Sequence, residues 1–299
     1  MVVPPGNTVR VQNLGFLTDI GIRSLEGASV TDGGDHLVIR SPDNPAFWWG
    51  NFILLAEPPA PGSADHWLAT FAAAFPEAQH VTFGVDSTAA VTEIPADFAE
   101  AGLIADRMMV LTATEVREPA RPSTDTEIRP LRSDEDWEQS LDLTNRGYEH
   151  GAGEPEFARR RTAARRRTVE QGHGTWLGAF EDGRLLSQLG LFGITDDVAR
   201  YQDVVTDPAA RRRGLASTLL WQAGRHGRET LGASTLVIVA DPAESAINLY
   251  RAVGFKDTQT QLSLIRQPEG SIEPRNPGEH RPAARLQRGR SGPCGNSGP

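Results

Sequence analysis

Between residues 126 and 266, apolar positions recur alternately at strand spacing and at helix spacing, which predicts alternating β-strands and α-helices. Residues 126–131, 176–180, 185–192 and 199–206 suit strands, with turn signals at Asp182-Gly183 and at Thr195-Asp196-Asp197. Residues 235–240 form a wholly apolar strand and residues 258–265 a last one. Ser133 with Asp136 signals the capped start of a helix running towards Gly147, and residues 156–171 make a second, arginine-heavy helix. Residues 214–229 make a third, with Leu215, Leu219, Leu220 and Ala223 on its buried face. Asp241 as N-cap, Pro242 as first helical residue and Glu244 as returning carboxylate predict a fourth, ending at Gly254.

The flanks differ. Residues 117–126 are polar with two prolines and read as a linker. Residues 267–299 are rich in Pro, Gly, Ser and Arg and hold too little apolar surface to fold, which predicts a disordered tail. Residues 1–116 repeat the second half of the pattern without gaps. At one offset Gly62 aligns with Gly214, Trp67 and Leu68 with Leu219 and Leu220, Phe98 with Tyr250, and Gly102-Leu103 with Gly254-Phe255; the strand 81–85 falls near the strand at 235.

Chemistry concentrates where Val204-Val205-Thr206 runs into Arg211-Arg212-Arg213-Gly214-Leu215-Ala216 and then Ser217. The first amides of a helix lack intrahelical partners, the helix dipole favours anions there, and arginine adds fixed positive charge, so such a turn suits a phosphorylated carrier. It resembles the R/Q-x-x-G-x-G/A loop of the GCN5-related N-acetyltransferases, the GNAT superfamily, and residues 241–255 resemble that family's later A-x-x-L-Y-x-x-x-G-F element. The resemblance implies an α/β fold of the α+β mixed-sheet kind with two tandem GNAT-like domains. These would be a degenerate copy at 1–116, the linker at 117–126, a catalytic domain at 127–266, and the tail.

It further implies acetyl-CoA as co-substrate and an amine as acceptor. The strand Val204, Val205 and Thr206 would part from its neighbour to pair with the pantetheine arm and supply an oxyanion donor. Amides of Arg211, Arg212, Arg213, Gly214, Leu215, Ala216 and Ser217 would bind the phosphates, and Tyr250 would protonate the leaving thiolate. From its own pattern, Tyr250 sits on an apolar helical stripe with Ala246, Leu249 and Val253, which equally describes a core tyrosine. Asp203, Glu149 or a water chain stand as proton acceptors, since Ile238 and Ala243 occupy the family's acidic and asparagine positions. In the first copy Pro59-Ala60-Pro61 replaces the arginines and Phe98 the tyrosine, removing donors, charge and acid together.

Composition limits the partners. The net charge of -9 gives no basic balance for nucleic acid, and Cys294, the only cysteine, excludes an intrachain disulfide and a cysteine zinc site. The histidines show no metal-ligand spacing, so no metal is expected. No apolar run is long enough for a membrane span, and neither it nor a leader-like start points away from the cytoplasm. Clusters at 159–161 and 165–167 read as a solvated helical face, or as recognition of an anionic acceptor. Trp48 and Trp49, beside Phe47, suit the core of the first copy or its face towards the second. A small-molecule amine is the expected acceptor. A CoA-binding sensor and a mycothiol-synthase-like acetyltransferase are the alternatives.

Overall fold

The computed structural model describes residues 10–45, 47–91, 93–147 and 155–267. Glu149, Cys294 and nearly all of the expected tail lie outside them. The elements are α1 (Leu14–Leu25), β1 (Ser29–Asp32), β2 (His36–Arg40), β3 (Phe52–Leu55), α2 (Ala64–Ala74), β4 (Val81–Val85), α3 (Ala96–Glu100) and β5 (Ile104–Ala113). After residues 117–126, which form no regular element, come β6 (Glu127–Pro130), α4 (Asp134–Gly147), α5 (Pro155–Glu170), β7 (Gly174–Glu181), β8 (Arg184–Gly193), β9 (Val198–Thr206), α6 (Leu215–Glu229), β10 (Thr235–Ala240), α7 (Ala246–Ala252) and β11 (Lys256–Arg266). The series from α1 to β5 and from α5 to β11 have the same order.

Local chemistry sets these boundaries. Ser133 Oγ accepts the Asp136 amide at 3.1 Å and Asp136 Oδ2 accepts the Ser133 amide at 3.1 Å, so the capping signal of α4 is realised. Arg129 adds two bonds of 2.8 Å to the same carboxylate and holds its pKa far below the usual range. Asp182 and Gly183 both have positive φ, 49° and 79°, which the tight β7–β8 hairpin needs.

The fourth helix starts later than expected. Asp241 Oδ1 accepts the Ala243 amide at 2.8 Å and its carbonyl accepts the Glu244 amide at 3.1 Å. This closes a turn on Pro242, and α7 begins only at Ala246.

All eleven strands join one mixed sheet, ordered β1-β2-β3-β4-β11-β5-β10-β9-β8-β7-β6. β3–β4 and β9–β10 are the parallel pairs. The centre of the sheet is an exchange: β11 lies between β4 and β5, and β5 lies between β11 and β10. Each repeat thus places its last strand in the other's sheet. Central strands need apolar residues on both faces, and Met108, Val110 and Leu111 on β5 and Leu262, Leu264 and Ile265 on β11 are buried.

The cores are exchanged as well. Leu111 and Ala113 pack with Leu219, Leu220 and Tyr250, while Leu262 and Leu264 pack with Ile53, Phe83 and Phe98. α1 crosses back over the second repeat, where Arg200 Nη1 donates to Thr18 Oγ1 at 2.5 Å and Arg200 pairs with Asp19 at 3.1 Å. Among the described residues no helix is long and apolar enough to cross a membrane.

Candidate active site

The site begins where two strands separate. β9 and β10 pair only over residues 198–200 and 235–237, although β9 continues to Thr206 and β10 to Ala240. The far ends of the strands splay apart, leaving the β10 side of Val204, Val205 and Thr206 without a partner strand. On its other side Val205 stays in register with Gln188 of β8, and Ser187 Oγ bonds Thr206 Oγ1 at 2.8 Å.

Asp207 then turns the chain. Its side chain accepts the Ala209 amide at 3.0 Å and is held by Arg184 at 2.9 Å, directing residues 208–210 into one short 3-10 turn. The following loop reaches α6 through Arg212 at φ +64° and Gly214 at φ +81°. No side chain caps α6, and Gly214, Leu215, Ala216 and Ser217 at its start line the opening created by the strands.

The result is a cleft of about 390 Å³ bordered by the ends of β9, the 211–217 loop and the start of α7. Val204, Val205, Thr206, Arg211, Arg212, Gly214, Leu215, Ala216, Ser217 and Tyr250 all line it. Arg213 does not: its guanidinium is paired with Glu181 on β7. Arg211 is engaged inside the cleft, donating to the Gly147 carbonyl at the end of α4 at 3.2 Å. Gly147, Glu244 and Ser245 line the cleft too; the sequence marks Gly147 and Glu244 only as helix-end signals and Ser245 not at all.

Gly214 has a reason that needs no ligand. A Cβ there would stand 2.6 Å from the Arg121 carbonyl, because the segment after β5 packs over the start of α6, where the Ser123 amide donates to Thr218 Oγ1 at 2.9 Å. Residues 121–123 of the expected linker are therefore held against the start of α6.

Tyr250 is 6 % exposed and projects from α7 into the cleft wall. Burial, aided by the nearby Asp203 charge, pushes its pKa up, so the phenol is protonated at neutral pH. Asp203 itself is buried between Arg161, 3.6 Å away, and Arg165. Ile238 is 3 % exposed in the core, so β10 offers no acid at that point. The two arginines correct the solvated-face expectation for α5. Spaced four apart, they share the helix's inward face and are each 4 % exposed, whereas Arg159, Arg160 and Arg167 are exposed.

The model of the "Acetyltransferase (GNAT) family" matches residues 137–255, the span holding both the loop and Tyr250. Those residues form a GNAT domain. The family is one of acetyltransferases, whose fold typically uses acetyl-CoA.

No protein with a curated description matches the chain. Solved structures match most of it. They include a conserved protein of unknown function from Staphylococcus epidermidis (TM-score 0.65, 13 % identity, covering 81 % of this chain and 95 % of that one). A GCN5-related N-acetyltransferase from Kribbella flavida is similar too (0.58, 19 %, 86 % and 98 %), as is a tandem GNAT protein from the clavulanic acid biosynthesis pathway (0.51, 15 %, 86 % and 95 %). At these identities the likeness is one of fold.

The N-terminal GNAT-like repeat has a closed counterpart of this cleft. β3 and β4 pair over residues 53–55 and 83–85, to the last residue of each, and the Asp86 amide continues the ladder to the Leu55 carbonyl at 2.9 Å. The start of α2 is occupied: Asp97 Oδ2 accepts the Ala64 amide at 2.8 Å, a bond that holds the Asp97 carboxyl below its ordinary range. Phe98, at the Tyr250 position, is fully buried. Gly62 keeps the φ of +81° seen at Gly214, so the backbone turn survives without the opening it serves. Among the described residues no group of three or more His, Cys, Asp or Glu is placed to hold a metal ion.

Proposed function

We propose that the chain transfers an acetyl group from acetyl-CoA to the amine of a small molecule, in the cleft of the C-terminal GNAT domain. The observation that carries this reading is the convergence of three features on one opening. These are the splayed end of β9, the uncapped start of α6 behind Arg211 and Arg212, and the Tyr250 side chain. Free amides at the helix start suit a pyrophosphate, and Arg212 adds positive charge beside them. The open edge of β9 suits the amide-bearing pantetheine arm, whose polar groups replace the missing strand.

The acceptor nitrogen attacks the thioester carbonyl, and a β9 amide bonds the oxygen as negative charge develops on it. The C–S bond breaks as Tyr250 gives its proton to the departing sulfur. A raised phenol pKa suits this role, because a thiolate forming in the same buried cleft is desolvated and gains proton affinity with it. Asp203 does not line the cleft and its side chain is wholly buried, which favours water as the acceptor of the ammonium proton.

A panel of polyamines, amino acids and amino sugars, scored for free thiol release, tests the reading. Turnover with at least one amine, and its loss in Tyr250→Phe, supports it. Binding of acetyl-CoA without transfer to any amine would make the domain a CoA-binding module instead.

A further inference from the structure

Asp203 occupies an unusual position. It is a non-glycine residue at φ +48°, at the point where β9 and β8 fall out of register between the pairs Val205–Gln188 and Gln202–Gly190. Leu189 of β8 faces two residues of β9, Asp203 and Val204, a bulge that turns the strand just before Val205 and Thr206. A left-handed aspartate costs conformational energy and persists only where its surroundings hold it.

Those surroundings are charged and buried. Asp203 has a side chain 0 % exposed, and Arg161 and Arg165 from α5 flank it with side chains 3 % and 5 % exposed. Arg165 lies over the Trp176 ring at 5.1 Å, and Arg161 over the Phe47 ring at 5.1 Å. Phe47 belongs to the N-terminal repeat, where it also stacks under Arg23 at 4.7 Å and against Phe157 of α5 at 5.4 Å. Arg23 is paired with Glu26 at 2.5 Å. A continuous path of contacts therefore runs from the closed repeat through Phe47 and α5 to the bulge that shapes the open cleft.

We infer that Asp203 is a positioning residue: clasped by Arg161 and Arg165, it fixes the β9 bulge that presents residues 204–206 to the cleft, and the N-terminal repeat sustains this clasp through Phe47. This gives the repeat without an open cleft a task. It braces the cofactor strand of its partner from behind. Burial and the adjacent Arg165 push the Arg161 pKa down to about 9, which leaves it charged at neutral pH and able to hold the carboxylate. Removing the carboxylate would leave two guanidiniums facing each other with little water to separate them.

The test is hydrogen exchange on the full chain without ligand, comparing wild type with Asp203→Asn and Phe47→Leu. Asparagine tolerates the left-handed backbone, so Asp203→Asn removes charge with little added strain. Exchange at residues 203–207 and in α5 should quicken about tenfold in Asp203→Asn, and less in Phe47→Leu, while β7 and β8 keep their protection. Unchanged exchange at 203–207, or a uniform rise throughout the molecule, would overturn the proposal. Should Asp203→Asn fail to fold, Phe47→Leu alone decides it by the same local readout.

A second arm rests on the acetyl-CoA reading. Asp203→Asn should raise the Kd for acetyl-CoA about tenfold, since the strand that receives the arm is no longer held. An unchanged Kd together with loss of the acidic limb of the pH–rate profile would make Asp203 the proton acceptor, against the proposal. Wild-type protein that ignores acetyl-CoA would refute the functional reading and leave the exchange test standing.

Discussion

Leu264 lies near the end of the chain yet fills the core of the opposite repeat, so Leu264→Ala should loosen residues two hundred positions away in sequence as much as its own strand. Leu264 is 0 % exposed and packs with Ile53, Phe83 and Phe98. Losing three carbons removes about 2.5 kcal/mol of transfer energy at ~0.8 kcal/mol each, and the residual cavity raises the cost to roughly 3–4 kcal/mol. For a chain of this size, each kcal/mol lowers Tm by about 2–4 °C, so a drop of roughly 6–16 °C is expected. Urea unfolding followed by tryptophan fluorescence reads both repeats, since Trp48, Trp49 and Trp67 lie in the first and Trp137, Trp176 and Trp221 in the second. One shifted transition is expected. Hydrogen exchange should show β3 and β4 losing protection together with β11. A cost below about 1 kcal/mol, or β3 and β4 unchanged, would refute the exchange of strands as the basis of the cores.

Three further outcomes follow. Tyr250→Phe should keep Tm and acetyl-CoA affinity but lower kcat about 10²-fold where chemistry is rate-limiting, as steady-state and single-turnover rates would report. Gly62→Ala and Gly214→Ala both force an alanine to φ +81°, costing about 1–2 kcal/mol. Only at Gly214 must the Arg121 carbonyl also move, so paired melting curves should show the larger loss there. Burial against Trp48 and Phe71 outweighs the hydrogen bond to the Asn51 carbonyl and lowers the His80 pKa below 6.5, so the unfolded chain binds the proton more readily; stability should fall as pH drops below about 6.5, and His80→Gln should flatten that slope in urea titrations.

The second repeat was more legible in sequence than the first because its signals are local. Apolar periodicity and the Ser133, Asp182 and Gly214 turn signals act within a few residues, and each element they announce is present. The pairing of strands is not local. Nothing in the pattern of residues 104–113 or 256–266 says which strands flank them, so the exchange at the sheet's centre was invisible. α1 was missed because its buried side is set by Arg200 and by the other repeat's strands. Arg161 and Arg165 depart from the solvated-face expectation because burial of arginine depends on a distant carboxylate, though their four-residue spacing carries a faint sign of a shared face. The loop stands out by its arginines and glycine, and Tyr250 only through the family resemblance. Their convergence on one cleft depends on the splay of β9 from β10, which follows from tertiary structure.

The most direct measurement is calorimetric titration of the full chain with acetyl-CoA, for wild type and Arg212→Glu. Arg212 lines the cleft beside the start of α6, and reversing its charge faces a carboxylate towards the proposed pyrophosphate site. One site per chain is expected, with affinity at least about tenfold weaker in the variant. Two sites per chain, no binding, or equal affinity in Arg212→Glu would contradict a single acetyl-CoA cleft at the splayed end of β9.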